Sequence, residues 1–212
     1  MRKEGSTRGE VQSEETAPSF YDPGSDPASR GSEFMSADIE QAPAWQQAIF
    51  RVLKAGGVRQ VAYVPDAGHA HVIRCAVADP DIQDIVLTTE EEGVALACGA
   101  WLGGQRSVLL MQSSGVGNCI NMLSLLQSAD LPFLTLVTMR GEHAEFNPWQ
   151  GPMGRNTQAA LELMGVHVMR AHHAEEVEEV VSAALDAAFE AGEKVAVLLS
   201  QRLIGRKSWH RK

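Results

Sequence analysis

The sequence predicts an α/β domain, three layers deep and built on a six-stranded, mostly parallel sheet. Three observations carry that expectation. Between Pro43 and Ser200, six short runs rich in Val, Ile and Leu alternate with segments of helical periodicity. One of them, Pro132–Thr138, is apolar throughout apart from Thr135 and Thr138, as in a strand covered on both faces. No internal repeat interrupts the series, so the segment reads as a single domain.

Trp45, Ile49, Val52 and Leu53 form a helical stripe that stops at Gly56-Gly57. A strand, Arg59–Val64, ends at Pro65-Asp66, and a helix is expected from His69 to Val77. Ile82–Thr88 is the next strand and Glu90–Leu102 the helix after it, with Val94, Ala97, Cys98 and Trp101 on one face. Ser107–Met111 is a strand, Gln112–Asn118 a glycine-containing loop, and Gly117–Gln127 a helix. After Pro132–Thr138 the rhythm breaks over a long irregular segment, Met139–Asn156. A helix (Thr157–Met164), a strand (Val166–Arg170), a helix (Ala174–Ala191) and a strand (Lys194–Ser200) complete the series.

Residues 1–34 mix Gly, Ser, Pro and charge without apolar periodicity, and Gly31-Ser32-Glu33-Phe34 before Met35 resembles a cloning scar. We expect a disordered, vector-derived tail and a native start at Met35, with residues 35–212 as the domain. The chain is acidic, with formal net charge −9, which argues against a nucleic-acid surface. A cationic cluster (Arg202, Arg206, Lys207, Arg211, Lys212) reads as a solvated tail. No apolar run is long enough to cross a bilayer, and three widely spaced cysteines read as buried thiols in a reducing compartment. The expectation is a soluble, cytoplasmic protein.

Three motifs invite chemistry. Glu90-Glu91-Glu92 stands where a strand gives way to a helix, at the carboxyl edge of the sheet, where open α/β folds bind ligands. Helix-dipole complementation explains the same acids without any function. Gln112-Ser-Ser-Gly-Val-Gly-Asn118 presents backbone N–H groups, yet it lacks the third glycine of a dinucleotide fingerprint and the Lys-Ser/Thr of a P-loop. Arg140 follows the buried strand and Arg155 closes the irregular segment; both are candidates for an anionic substrate group. For Arg140, an ion pair with Glu142 or Glu145 is an equal alternative. His69 and His71 lack further ligands at metal-binding spacing, so no metal site is expected in this chain.

In order and spacing, Val64-Pro65-Asp66, Glu90 with Gly99 nine residues on, Met111–Asn118, Arg140-Gly-Glu142 and Asn147–Gly154 resemble the pyrimidine-binding domain of thiamine-diphosphate enzymes. The similarity is greatest to sulfopyruvate decarboxylase alpha subunits and phosphonopyruvate decarboxylases, and spans Pro43 to Ser200. It implies that Glu90 is catalytic, hydrogen-bonding N1′ of the cofactor's aminopyrimidine. It further implies that Pro65, Gln112, Ser113, Ser114, Gly115 and Asn118 lie about the cofactor. Arg140 and Arg155, and less strongly His69, would then meet the substrate.

The family holds diphosphate and Mg²⁺ on a second domain with a Gly-Asp-Gly motif, and no Gly-Asp dipeptide occurs here. The resemblance thus implies a beta subunit carrying that half, thiamine diphosphate across the interface, Mg²⁺ on the partner, and a hetero-oligomer of α2β2 or larger. The implied activity is decarboxylation of an anionic 3-substituted pyruvate, sulfopyruvate before phosphonopyruvate. A carboligase or decarboxylase of another 2-oxo acid, or a non-catalytic regulatory subunit of the same fold, stays open.

Overall fold

The computed structural model describes residues 42–205. The expected tail, the start at Met35 and the cations Arg206, Lys207, Arg211 and Lys212 lie outside the described residues. Helix α1 (Ala44–Ala55) buries Trp45, Ala48, Ile49 and Leu53, spacing that keeps one face inward. Then follow β1 (Val58–Tyr63), α2 (Ala70–Ala78), β2 (Gln83–Val86), α3 (Glu90–Leu102) and β3 (Arg106–Gln112). The chain continues through α4 (Ser113–Cys119), α5 (Leu123–Ala129), β4 (Phe133–Thr138), α6 (Gly151–Leu163), β5 (His167–Ala171), α7 (Val177–Phe189), β6 (Lys194–Leu199) and α8 (Gln201–Ile204).

All six strands run parallel, in the order β2-β1-β3-β4-β6-β5. Parallel crossovers are right-handed, so connections stepping one way along the sheet cover one face and those stepping back cover the other. The packing obeys this rule. Val94 (α3), Val116 (α4), Leu123 (α5) and Leu161 (α6) share an apolar layer with Leu109, Val137 and Leu198. Val72 (α2) and Val181 (α7) pack with Ile49 (α1), Leu110, Leu136 and Val197 on the opposite face. The connections leaving β1 and β3 therefore diverge to opposite faces, and a crevice opens where their carboxyl ends meet, the usual ligand position of such folds.

The sheet is wholly rather than mostly parallel, and two segments differ from the sequence reading in kind. The helix expected from Gly117 begins instead at Ser113, within the expected Gln112–Asn118 loop, and runs to Cys119, although Ser and Gly are weak helix formers. Packing on α3 and α6 overrides that local preference. The irregular segment also ends earlier than expected: α6 begins at Gly151, so Arg155 is helical. Pro152 reads as a breaker in sequence, but in a first helical turn it gives up no intrahelical bond.

Gly154 explains how α6 lies so close to the chain after β4. A Cβ there would come within 1.8 Å of the Arg140 carbonyl oxygen, and that neighbour is backbone. Replacing Gly154 by Ala should therefore destabilise the domain by about 1–3 kcal/mol, the usual cost of overpacking. A lower urea midpoint at unchanged m value would record it.

Candidate active site

Of the three carboxylates opening α3, only Glu90 is buried. Glu92 turns back to accept the Thr88 amide at 2.9 Å, and Glu91 faces outward. The Glu90 carboxylate lies against α4, where Asn118 Nδ2 donates to Oε2 at 2.8 Å. Oε1 sits over Gly115, at which a Cβ would come within 2.4 Å of the carboxylate. Glycine is thus what lets α4 approach an acid at a helix start. Beside them, burial pushes the Cys119 thiol up to about 12, helped by the Glu90 and Glu91 charges, so that sulfur is no nucleophile.

A second cluster forms at the carboxyl ends of β1, β3 and β4. Asp66 accepts hydrogen bonds from Thr138 Oγ1 (2.6 Å), the Gly68 amide (3.2 Å) and Gln112 Nε2 (3.2 Å). Gln112 Oε1 in turn accepts from Ser114 Oγ at 2.9 Å, linking this cluster to the turn of α4 that carries Gly115. The buried Ser113 hydroxyl accepts the Arg140 amide at 3.1 Å. Pro65 is exposed at the rim.

Next to it opens a cleft of about 280 Å³, lined by Asp66, Gly68, Thr138, Arg140, Glu145 and Gln201. Arg140 makes a two-pronged contact with Glu145, Nε to Oε2 at 2.8 Å and Nη2 to Oε1 at 2.5 Å. Glu145 also accepts the amides of Gly141 (3.1 Å) and Asn147 (2.8 Å) and Gln201 Nε2 (2.9 Å). Arg140, foremost, and the two amides hold the Glu145 carboxyl down at about 2. The ion pair weighed for Arg140 in sequence is thus present, with Glu145 as its partner, while Glu142 pairs with Arg170.

Arg155 is exposed on α6 and lies apart from the residues lining this cleft. His69 is 1% exposed and lies beneath the cleft. Its Nε2 is 3.1 Å from the Leu136 carbonyl and 3.3 Å from that of Met111, while Nδ1 has no hydrogen-bond partner among the described residues. Burial lowers its pKa against the opposing pull of Asp66, so the ring is neutral and its Nε2–H donates to the sheet edge. Of the cleft residues, the sequence reading holds Asp66 only within the Val64-Pro65-Asp66 motif and Glu145 only as a possible ion-pair partner, and it does not single out Gly68, Thr138 or Gln201. Asp66 stands just past the end of β1, at the carboxyl edge of the sheet. Nothing local marks Gln201, which meets the loop only through the sheet order.

Among the described residues, no group of three His, Cys, Asp or Glu side chains is placed to hold a metal ion. No helix among them is long and apolar enough to cross a membrane.

The fold and this edge define a class: three-layer α/β domains on a six-stranded parallel sheet, with a crevice at its carboxyl edge. A solved structure of 2-oxoglutarate:ferredoxin oxidoreductase from Magnetococcus marinus superposes with a TM-score of 0.59 at 15% identity. The match covers 80% of this chain and 34% of that one. No family model matches the chain. Sulfopyruvate decarboxylase subunit alpha of Methanococcus maripaludis is 34% identical over 154 residues, covering 72% of this chain and 92% of the relative. That of Methanothermobacter thermautotrophicus is 33% identical over 154 residues, with 72% and 93% covered. The chain belongs to the family of sulfopyruvate decarboxylase alpha subunits, whose members are by name one subunit of a decarboxylase. Phosphonopyruvate decarboxylase of Streptomyces viridochromogenes is also similar, 39% identical over 109 residues, half of this chain but only 28% of that protein.

The Glu145 cage has a measurable signature. Its folded-state pKa is depressed from 4.5 to about 2, so its stabilisation is complete above about pH 4.5 and lost as pH falls through about 2. In Glu145→Gln that part of the pH dependence should vanish, leaving a flatter curve of unfolding free energy below pH 4.5 in urea titrations.

Proposed function

We propose that this chain is the pyrimidine-binding alpha subunit of a two-subunit, thiamine-diphosphate-dependent decarboxylase. Its substrate is an anionic 3-substituted pyruvate, sulfopyruvate in preference to phosphonopyruvate, and its products are the aldehyde and CO₂. One observation carries the reading. In a chain that belongs to the sulfopyruvate decarboxylase alpha-subunit family, the buried Glu90 carboxylate is fixed between Asn118 and the bare backbone of Gly115.

That donor set fits the aminopyrimidine end of the cofactor. A ring nitrogen that must exchange a proton needs a carboxyl group held in a dry place, and Glu90 supplies one. Asn118 fixes Oε2, which leaves Oε1 to hold or release the proton. Glu90 is the residue that would hold the aminopyrimidine, itself steadied by Asn118 and by the packing of α4 at Gly115. When bound, thiamine diphosphate supplies the electron sink for loss of CO₂. Asp66 stays hydrogen-bonded to Thr138 and Gln112, so the crevice edge is organised in advance.

At the cleft, Glu145 occupies the Nε and Nη2 side of the Arg140 guanidinium, and no partner of Nη1 is found among the described residues. Nη1–H donors there suit the sulfonate of the substrate. Arg155 and His69, weighed in sequence as substrate residues, lie outside the cleft lining and take a lesser part in this proposal.

A beta subunit carrying the diphosphate half, with Mg²⁺, completes the reading. The outward stripe of α3, Glu91, Ala95, Gly99 and Leu102, is exposed, and a Cβ at Gly99 would meet nothing within 4 Å. A helix apolar on both sides is normally covered, and this one starts at Glu90, which supports a partner docking there.

The test is Glu90→Gln, which keeps size and the contact with Asn118. Turnover with the partner present should fall by roughly 10²–10⁴-fold, the usual worth of a proton-transfer group, with circular dichroism and partner retention unchanged. Turnover near wild type would refute the role. Wild-type chain that recovers neither a stoichiometric partner nor thiamine diphosphate would point to a non-catalytic subunit instead.

A further inference from the structure

We propose that Gln201 is a positioning residue that holds the Arg140–Asn147 loop in the conformation that aims Arg140 into the cleft. The inference rests on the decarboxylase reading for its substrate, and on geometry alone for the latch.

Gln201 is 2% exposed, where α8 begins at the carboxyl end of β6. Every polar atom of its side chain is used on the loop. Oε1 accepts the amides of Glu142 (2.9 Å) and His143 (2.8 Å), and Nε2 donates to Glu145 Oε2 (2.9 Å). Its own amide donates to Glu142 Oε2 at 3.3 Å. Glu145 ties the loop's ends together, yet the loop carries strain in this shape, because Ala144 has φ +47°, a conformation that costs a residue with a Cβ about 1–2 kcal/mol. Such strain persists when surrounding contacts over-determine the backbone. Gln201 supplies those contacts from outside the loop, and through Glu145 it fixes the face of Arg140 that is already occupied. An amide suits the position because it accepts from two backbone donors while donating to a carboxylate, which neither Glu nor Leu can do.

Two variants separate anchoring from positioning. Gln201→Leu removes both functions; Gln201→Glu keeps the acceptor for the two amides and loses the donor to Glu145. Hydrogen exchange at the Glu142 and His143 amides, measured on the full chain, should accelerate about tenfold or more in Q201L and stay close to wild type in Q201E. With the partner present, KM for the anionic 3-substituted pyruvate should rise about tenfold in both variants, while kcat for that substrate and KM for unsubstituted pyruvate hold within about twofold.

Unchanged exchange in Q201L would overturn the latch. Equal losses on both substrates would overturn positioning and leave a merely structural residue. If the wild-type complex turns over neither substrate, the decarboxylase reading falls and takes the positioning claim with it, while the exchange data still decide the latch.

Discussion

A parallel sheet can be covered on both faces only if its connections leave in opposite directions, and the handedness of crossovers decides which helix goes where. In this chain the consequence is felt between β1 and β3. The segment after β1 turns to the face of α2 and α7, and the segment after β3 turns to that of α4 and α5. Asp66 and Gln112 are left side by side at the opening, joined by a hydrogen bond. From that pair hydrogen bonds run to Thr138 on one side and to Ser114, at the start of the helix that meets Glu90, on the other.

Two glycines then decide how close the helices come. Gly115 lets α4 rest on the Glu90 carboxylate, and Gly154 lets α6 rest on the backbone at Arg140. In each case the missing Cβ matters for space rather than for backbone freedom, since both residues are helical. The same economy of small residues explains why Ser113-Ser-Gly-Val-Gly-Asn is helical here. Its helix is held by neighbours, and a single-sequence reading of propensity sees only a loop.

The sheet and its layers were legible because burial leaves a periodic trace: the apolar run of β4 and the stripes of α1 and α7 survive in sequence as they stand in space. The place of Glu90 at a strand-to-helix junction was legible, and its burial there is what the structure adds. The extent of α4 and the start of α6 were not, because tertiary contacts impose them against local preference. Glu145 and Gln201 stand 56 residues apart and meet only because β4 and β6 are neighbours in the sheet. That adjacency is a property of strand order, which local pattern does not encode. Arg140 shows the intermediate case. Both of its possible uses were visible, and the loop geometry adds Glu145 on one side of the guanidinium, with no hydrogen-bond partner on the other among the described residues.

The sheet's margin on the α2 side also bears on how this molecule associates. Strand β2 has four residues and ends the sheet, with Gln83, Asp84 and Val86 exposed. A short edge bearing a carboxylate is a poor template for another strand. Growth of the sheet from one copy into the next is therefore discouraged at this margin, which leaves side-chain surfaces for any contact between molecules. Contacts of that kind are specific, reversible and separable by mutation, whereas a shared sheet would join copies through backbone that no substitution easily edits.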